Sequence, residues 1–90
     1  MKKISIVTSK KYLKSKQYES LIKILQSNDI EYDIVNIDEN INIKIINSNL
    51  IISVGGDGTA LRAMKIAWLS NLPVLNIGSG RIGYLVNSLN

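Results

Sequence analysis

Short apolar, β-branched runs alternate with longer amphipathic stretches along the whole chain. Lys3 to Thr8 carries Ile4, Ile6 and Val7 close together and predicts a buried first strand, which Ser9-Lys10-Lys11 breaks. From Tyr12 to Ser27, Leu13, Leu21, Ile22 and Leu25 fall on one helical face, with Lys14, Lys23 and Gln26 elsewhere. Asn28-Asp29 stops that helix, because both residues tolerate the left-handed conformation of a helix end. Tyr32 to Ile37 predicts a second strand. In Asp38 to Asn49, Ile41, Ile43 and Ile45 alternate with Asn42 and Lys44, favouring an edge strand over a short helix packing Ile41, Ile45 and Ile46. Leu50 to Val54 is the third strand. A helix from Thr59 or Ala60 to Ser70 follows, with Leu61, Met64, Ala67 and Trp68 as its apolar stripe and Arg62 and Lys65 pointing outward. Asn71 and Pro73 close it. Pro73 to Ile77 is the fourth strand, Gly78-Ser79-Gly80 opens a loop, and Tyr84 to Val86 is a further extended piece.

Strands alternating with helices imply right-handed crossovers. The expected fold is therefore α/β, a doubly wound, mostly parallel sheet with flanking helices, in one domain over residues 1–90.

Ninety residues suffice for one small domain, whose folding buries about two-thirds of the unfolded surface. A composition of 46% hydrophobic and 20% charged residues is globular. With no cysteine and no histidine, disulfides, thiolate metal sites and imidazole catalysis are excluded, which leaves carboxylates, Tyr and Lys for proton transfer. The net charge of +4 suits a partner bearing phosphates. Lys2, Lys3, Lys10, Lys11, Lys14 and Lys16 read as a solvated chain start, since no aromatics interleave them as on a nucleic-acid surface. No apolar run is long enough for a membrane span, and Ile4 to Thr8 is too short and polar for a signal peptide core, so the expected location is cytoplasmic.

The chemistry concentrates at Gly55-Gly56-Asp57-Gly58-Thr59, where the third strand meets the second long helix. Glycines lacking Cβ let a turn adopt positive φ and bring backbone amides to an anion, and the helix start favours negative charge. Asp57 would repel a phosphate directly, so its targets are a hydroxyl, which it can orient and deprotonate during phosphoryl transfer, or a divalent cation. Thr59 is placed to cap the helix or to reach a phosphate. An isolated Gly-Asp-Gly would be no more than a turn, but the complete motif between strand and helix points to a ligand site. It is neither a Walker A loop nor a Gly-x-Gly-x-x-Gly turn. Both glycine loops follow strands, so both belong at the carboxyl edge of the sheet as walls of one cleft.

Gly55 to Thr59 resembles the signature of a kinase superfamily containing NAD kinases, diacylglycerol and sphingosine kinases, and phosphofructokinases. The Leu61-Arg62-Ala63 that follows is similar to NAD kinases. So is the proline-led strand from Pro73, which runs into Gly80-Arg81-Ile82-Gly83-Tyr84-Leu85 where that family has Gly-x-Leu-Gly-Phe-Leu. Lipid kinases carry a different sequence after this strand, which leaves a lipid kinase fragment as the minor alternative. Tyr84 replaces Phe and keeps an aromatic face, Ile82 replaces Leu, and Gly78 stands where bacterial members commonly have Asn. NAD kinases are considerably longer, and their β-rich second domain has no counterpart here, so the chain resembles their N-terminal domain alone.

The resemblance implies ATP-dependent phosphorylation of the adenosine 2′-hydroxyl of NAD, with Mg²⁺ or another divalent cation accompanying ATP and no metal held by the chain's own residues. Asp57 corresponds to the acid that activates the hydroxyl. Gly55, Gly56, Gly58 and Thr59 would line the phosphate turn, with Gly80, Gly83 and Tyr84 at the nucleotide. Tyr84 would lie near adenine, a core position being its other role. Arg62 either attracts phosphate or, the favoured role, belongs to a solvated helix face, and Trp68 packs in the core. NAD and ATP are the implied partners, together with a homo-oligomer or a separate C-terminal-domain chain, and neither nucleic acid nor membrane. A lone domain would be weakly active at most, and the alternative is a truncated nucleotide-binding or interaction module.

Overall fold

A computed structural model describes residues 3–39, 47–78 and 82–86, the last for the backbone alone. The strands are β1 (Lys3–Thr8), β2 (Glu31–Asn36), β3 (Leu50–Val54), β4 (Pro73–Ile77) and β5 (Ile82–Val86), and the helices are α1 (Lys16–Ser27) and α2 (Asp57–Ser70). They form one five-stranded sheet in the order β2-β1-β3-β4-β5. The first four strands run parallel, and β5 pairs antiparallel with β4. The expected doubly wound α/β architecture is present.

Chain direction explains why there is one helix on each face. From β1 through α1 the chain moves to β2 on one side, and from β3 through α2 it moves to β4 on the other. Right-handed crossovers in opposite directions put their helices on opposite faces. Leu21 and Leu25 of α1 accordingly pack with Ile4, Ile6, Ile52 and Val54, the alternate residues of β1 and β3. Ala63, Ile66 and Ala67 of α2 pack with Val7, Ile51 and Val74 from the other face. Strand order reverses between β1 and β3, so the crevice at their carboxyl ends is the topological switch point where such sheets bind ligands.

Both helices stop with a non-glycine residue in the left-handed conformation, Asp29 at φ 54° and Asn71 at φ 57°. After α1 the Ile30 N–H donates to Leu25 O and the Asp29 N–H to Gln26 O. After α2 the Leu72 N–H donates to Ala67 O and the Asn71 N–H to Trp68 O. Each pair of bonds satisfies carbonyls that the helix end would otherwise orphan. Asn28-Asp29 and Asn71 are thus the stops that the sequence suggests.

Three expectations need correction. The first helix does not run from Tyr12: Lys10–Tyr12 is a separate 3-10 turn, and α1 starts at Lys16 with Ser15 as N-cap, its Oγ accepting from the Tyr18 N–H. Leu13 therefore lies outside the helix. Nor does α2 bury Leu61 and Trp68, which are 65% and 62% exposed, so Trp68 is not a core residue. The buried face is Thr59, Ala63, Ile66 and Ala67, rotated by about a third of a turn from the expected stripe. Small residues at Thr59, Ala63 and Ala67 let the helix approach the sheet closely, and that close approach selects the face. Finally, α2 begins at Asp57, two residues before Thr59. The alternating stretch Ile41 to Ile45 lies outside the described residues. Among those described, no helix is long and apolar enough to cross a membrane.

Candidate phosphate-binding site

Three strand ends converge around the glycine turn. Thr8, at the end of β1, is fully buried, and its Oγ1 donates to Val54 O at 2.7 Å, locking the last residue of β3. The Gly55 N–H donates to Ile77 O at the end of β4 at 3.1 Å. One register step earlier, Ser53 Oγ donates to Asn76 Oδ1 at 2.5 Å between the same two strands. The turn is held from both sides before it leaves the sheet.

Gly55 is required here. Its φ of +155° disfavours an L side chain, and a Cβ would stand 2.7 Å from Thr59 Oγ1, 2.9 Å from Thr59 Cβ and 3.1 Å from Tyr12 Cδ2. Gly56 has ordinary extended geometry and serves as the N-cap of α2 without any side-chain bond. Positive φ is thus confined to Gly55 rather than shared among the turn glycines. A Cβ on Gly58, by contrast, would meet nothing within 4 Å. Among the described residues, none fills the space over Gly58.

Thr59 does not cap the helix. It is the third helical residue, only 5% exposed, and its hydroxyl packs on Gly55. Asp57 is the first helical residue and is exposed. Its carboxylate faces solvent beside the leading N–H groups of α2, which by helix geometry have no intrahelical acceptor. Arg62 is exposed one turn beyond Gly58 on the same face, in the second turn of α2. Its Cα–Cβ bond tilts toward the helix N-terminus, as in any α-helix. The structure thus brings Gly55, Gly56, Asp57, Gly58 and Thr59 into one compact turn, with Arg62 flanking it.

Gly80 lies outside the described residues. Gly83 and Tyr84 are on β5, where they pair with Asn76 and Leu75 of β4, and the side chain of Tyr84 lies outside what is described. The second loop does start beside the first, since Gly78 follows β4 and a Cβ on it would stand 3.4 Å from Gly55 O.

Tyr12 is the residue that periodicity missed. It joins Ser15, Gln17, Val54, Gly55, Ile77 and Gly78 in lining a groove of ≈ 150 Å³ against the turn. The available signal was an aromatic placed between a strand end and a Ser N-cap, where a helical stripe has little reason to begin. Among the described residues no group of three or more His, Cys, Asp or Glu side chains could hold a metal ion.

An exposed carboxylate, a run of unpartnered amides and a glycine with open space above it can hold a phosphoryl group beside a hydroxyl. The model of the ATP-NAD kinase N-terminal domain matches residues 2–88. The NAD kinase of Ruminiclostridium cellulolyticum is 33% identical over 97% of this chain and 34% of its own length. That of Caldicellulosiruptor bescii is 36% identical over 92% of this chain and 31% of its own. That of Caldicellulosiruptor saccharolyticus is 32% identical over 88% of this chain and 29% of its own. The chain thus spans about a third of the length of these relatives. With a family model matching nearly its whole length on a fold of the expected kind, the chain belongs to the ATP-NAD kinase family, within that family's N-terminal domain.

Proposed function

We propose that the chain handles phosphate and hydroxyl in the ATP-dependent conversion of NAD to NADP. The observation that carries this is the pairing of an exposed Asp57 with an unfilled approach to the α2 amides over Gly58. The adenosine 2′-hydroxyl of NAD lies against Asp57, which accepts its proton as the oxygen bonds to the γ-phosphorus of ATP. The bond from that phosphorus to the β–γ bridging oxygen breaks, and ADP leaves. The amides of Asp57, Gly58 and Thr59 hold the transferring group, and Arg62 contributes positive charge from the same face. Gly55 keeps the turn close enough to Thr59 for those amides to stay aligned.

Mg²⁺ neutralises triphosphate charge in such transfers. Asp57 is the carboxylate that the turn offers beside such an ion.

A second reading is favoured by the short span of the match. The chain is then a nucleotide-binding part that turns over only together with the remainder of such a kinase. One assay series separates the two. Purified chain is given ATP, Mg²⁺ and NAD, NADP is quantified by chromatography, and ADP binding is followed by calorimetry. Catalysis through Asp57 predicts that Asp57→Asn lowers NADP formation at least about 100-fold, as removal of a general base does, while ADP binding persists. Binding without NADP supports the second reading. Formation of NADP that is indifferent to Asp57→Asn overturns the role given to Asp57.

A further inference from the structure

Tyr12 has no part in the motif above, yet its ring lies across that motif. A Cβ on Gly55 would be 3.1 Å from Tyr12 Cδ2, and one on Gly56 would be 3.1 Å from Tyr12 Oη. The Tyr12 side chain therefore spans both glycines, its ring edge at Gly55 after β3 and its hydroxyl at Gly56, the N-cap of α2. Neither glycine offers a side chain to be gripped, so contact with the flat ring takes the place of side-chain packing for this segment.

The ring is itself anchored. The Tyr12 N–H donates to Ser9 O at 2.9 Å. The carbonyl of Tyr12 accepts from the Ser15 N–H at 3.0 Å and from Ser15 Oγ at 2.8 Å. Ser15 Oγ also caps α1 by accepting from the Tyr18 N–H. The Lys11 ammonium stands over the ring at 5.7 Å from its centroid, within cation–π range. A chain of contacts thus runs from the α1 N-cap through Ser15 and Tyr12 to the Gly55-Gly56 peptide. The 3-10 turn at Lys10–Tyr12 is the device that sets the distance.

We infer that Tyr12 is a positioning residue for the phosphate turn, its ring holding Gly55-Gly56 in the one arrangement that aligns the α2 amides. The inference rests on the proposed binding of phosphate by that turn. It assigns the work to the ring and not to the phenolic hydroxyl. Glycine pairs have wide conformational freedom, and without a buttress the segment samples arrangements in which the amides diverge. Tyr12 touches no substrate in this role. It acts through the backbone it covers.

The test compares Tyr12→Ala and Tyr12→Phe in the purified chain. Amide hydrogen exchange at Gly55 and Ala60, whose N–H groups donate to Ile77 O and Gly56 O, measured by NMR without ligand, should accelerate about tenfold in Tyr12→Ala, while Ile66 and Ala67 keep their protection. ADP affinity by calorimetry should fall by a similar factor of about ten. Tyr12→Phe should match wild type in both. Should Tyr12→Ala loosen the whole chain, a double-substitution cycle decides. Among the described residues a Cβ from Gly56→Ala meets Tyr12 alone, at its hydroxyl, so its cost should vanish beside Tyr12→Ala, whereas Gly55→Ala should keep its cost because Thr59 remains. Additive effects of Gly56→Ala and Tyr12→Ala, or unchanged turn exchange in Tyr12→Ala, overturn the inference. Loss of ADP affinity in Tyr12→Phe overturns it too, by moving the role to the hydroxyl. A wild-type chain that binds no ADP defeats the phosphate reading itself and leaves turn exchange to judge Tyr12.

Discussion

Gly55 and Gly58 stand three residues apart in one motif and serve opposite purposes. Gly55 answers to the protein: positive φ and the nearness of Thr59 both exclude a side chain. Gly58 answers to none of the described residues, because none of them stands within 4 Å of where its Cβ would sit. Gly55→Ala should therefore cost about 2 to 3 kcal/mol in urea-unfolding stability, combining backbone strain with overpacking. Gly58→Ala lies in the first turn of α2, where replacing glycine gains up to about 1 kcal/mol of helix propensity. The added methyl nevertheless occupies the approach to the amides, and ADP affinity should drop about tenfold, a change of about 1.4 kcal/mol. A more stable chain that binds nucleotide less well is the signature to look for. Unchanged ADP affinity in Gly58→Ala would show that the space over Gly58 is not the phosphate's.

At the scale of elements, what could be read from the chain depended on whether side-chain size or backbone geometry made the decision. The strands were legible because β-branched runs such as Ile51-Ile52 and Ile4 to Val7 can be satisfied only inside a sheet covered on both faces. The motif was legible because its glycines stand between a strand and a helix. The buried face of α2 was not, because periodicity weights large apolar residues, whereas the sheet accepts the face with Thr59, Ala63 and Ala67 that lets the helix come close. Tyr12 escaped for a related reason. It sits in a 3-10 turn that no hydrophobic period describes, and Ser15, not Tyr12, marks the true start of α1. Ser15 is accordingly the element-scale test. Ser15→Ala removes the acceptor for the Tyr18 N–H and should cost about 1 kcal/mol. It also removes a donor to Tyr12 O, so exchange at Gly55, whose N–H donates to Ile77 O, should rise even where urea stability is matched by temperature. A loss confined to helix stability, with the turn unmoved, would separate the cap from the buttress.

For the whole molecule, the groups that tie β2 to its neighbours titrate on the alkaline side. Lys3 on β1 pairs with Asp33 on β2 at 2.7 Å, and Asp33 as hydrogen-bond acceptor holds the ammonium above its ordinary 10.5. Tyr18 on α1 is pushed above 10.0, first by burial and then by its neighbour Tyr32 on β2. Both shifts mean that the folded chain keeps a proton that the unfolded chain releases at lower pH. Between the unfolded value and the raised folded one, the unfolded state binds fewer protons, so stability falls as pH rises. Below pH 10 both contributions are complete. Among the described residues β2 is an edge strand whose partner in the sheet is β1, so it has less support than the central β3 once Lys3 is neutral and Tyr18 ionises. Urea midpoints should therefore hold level between pH 8 and about 9.5 and then decline through pH 10 and 11, the range in which these groups begin to titrate. Amides of β2 should lose exchange protection before those of β3. In the double substitution Lys3→Met with Tyr18→Phe the decline should flatten, because neither group is left to lose its proton. A decline of undiminished steepness in that variant would place the alkaline sensitivity elsewhere in the chain.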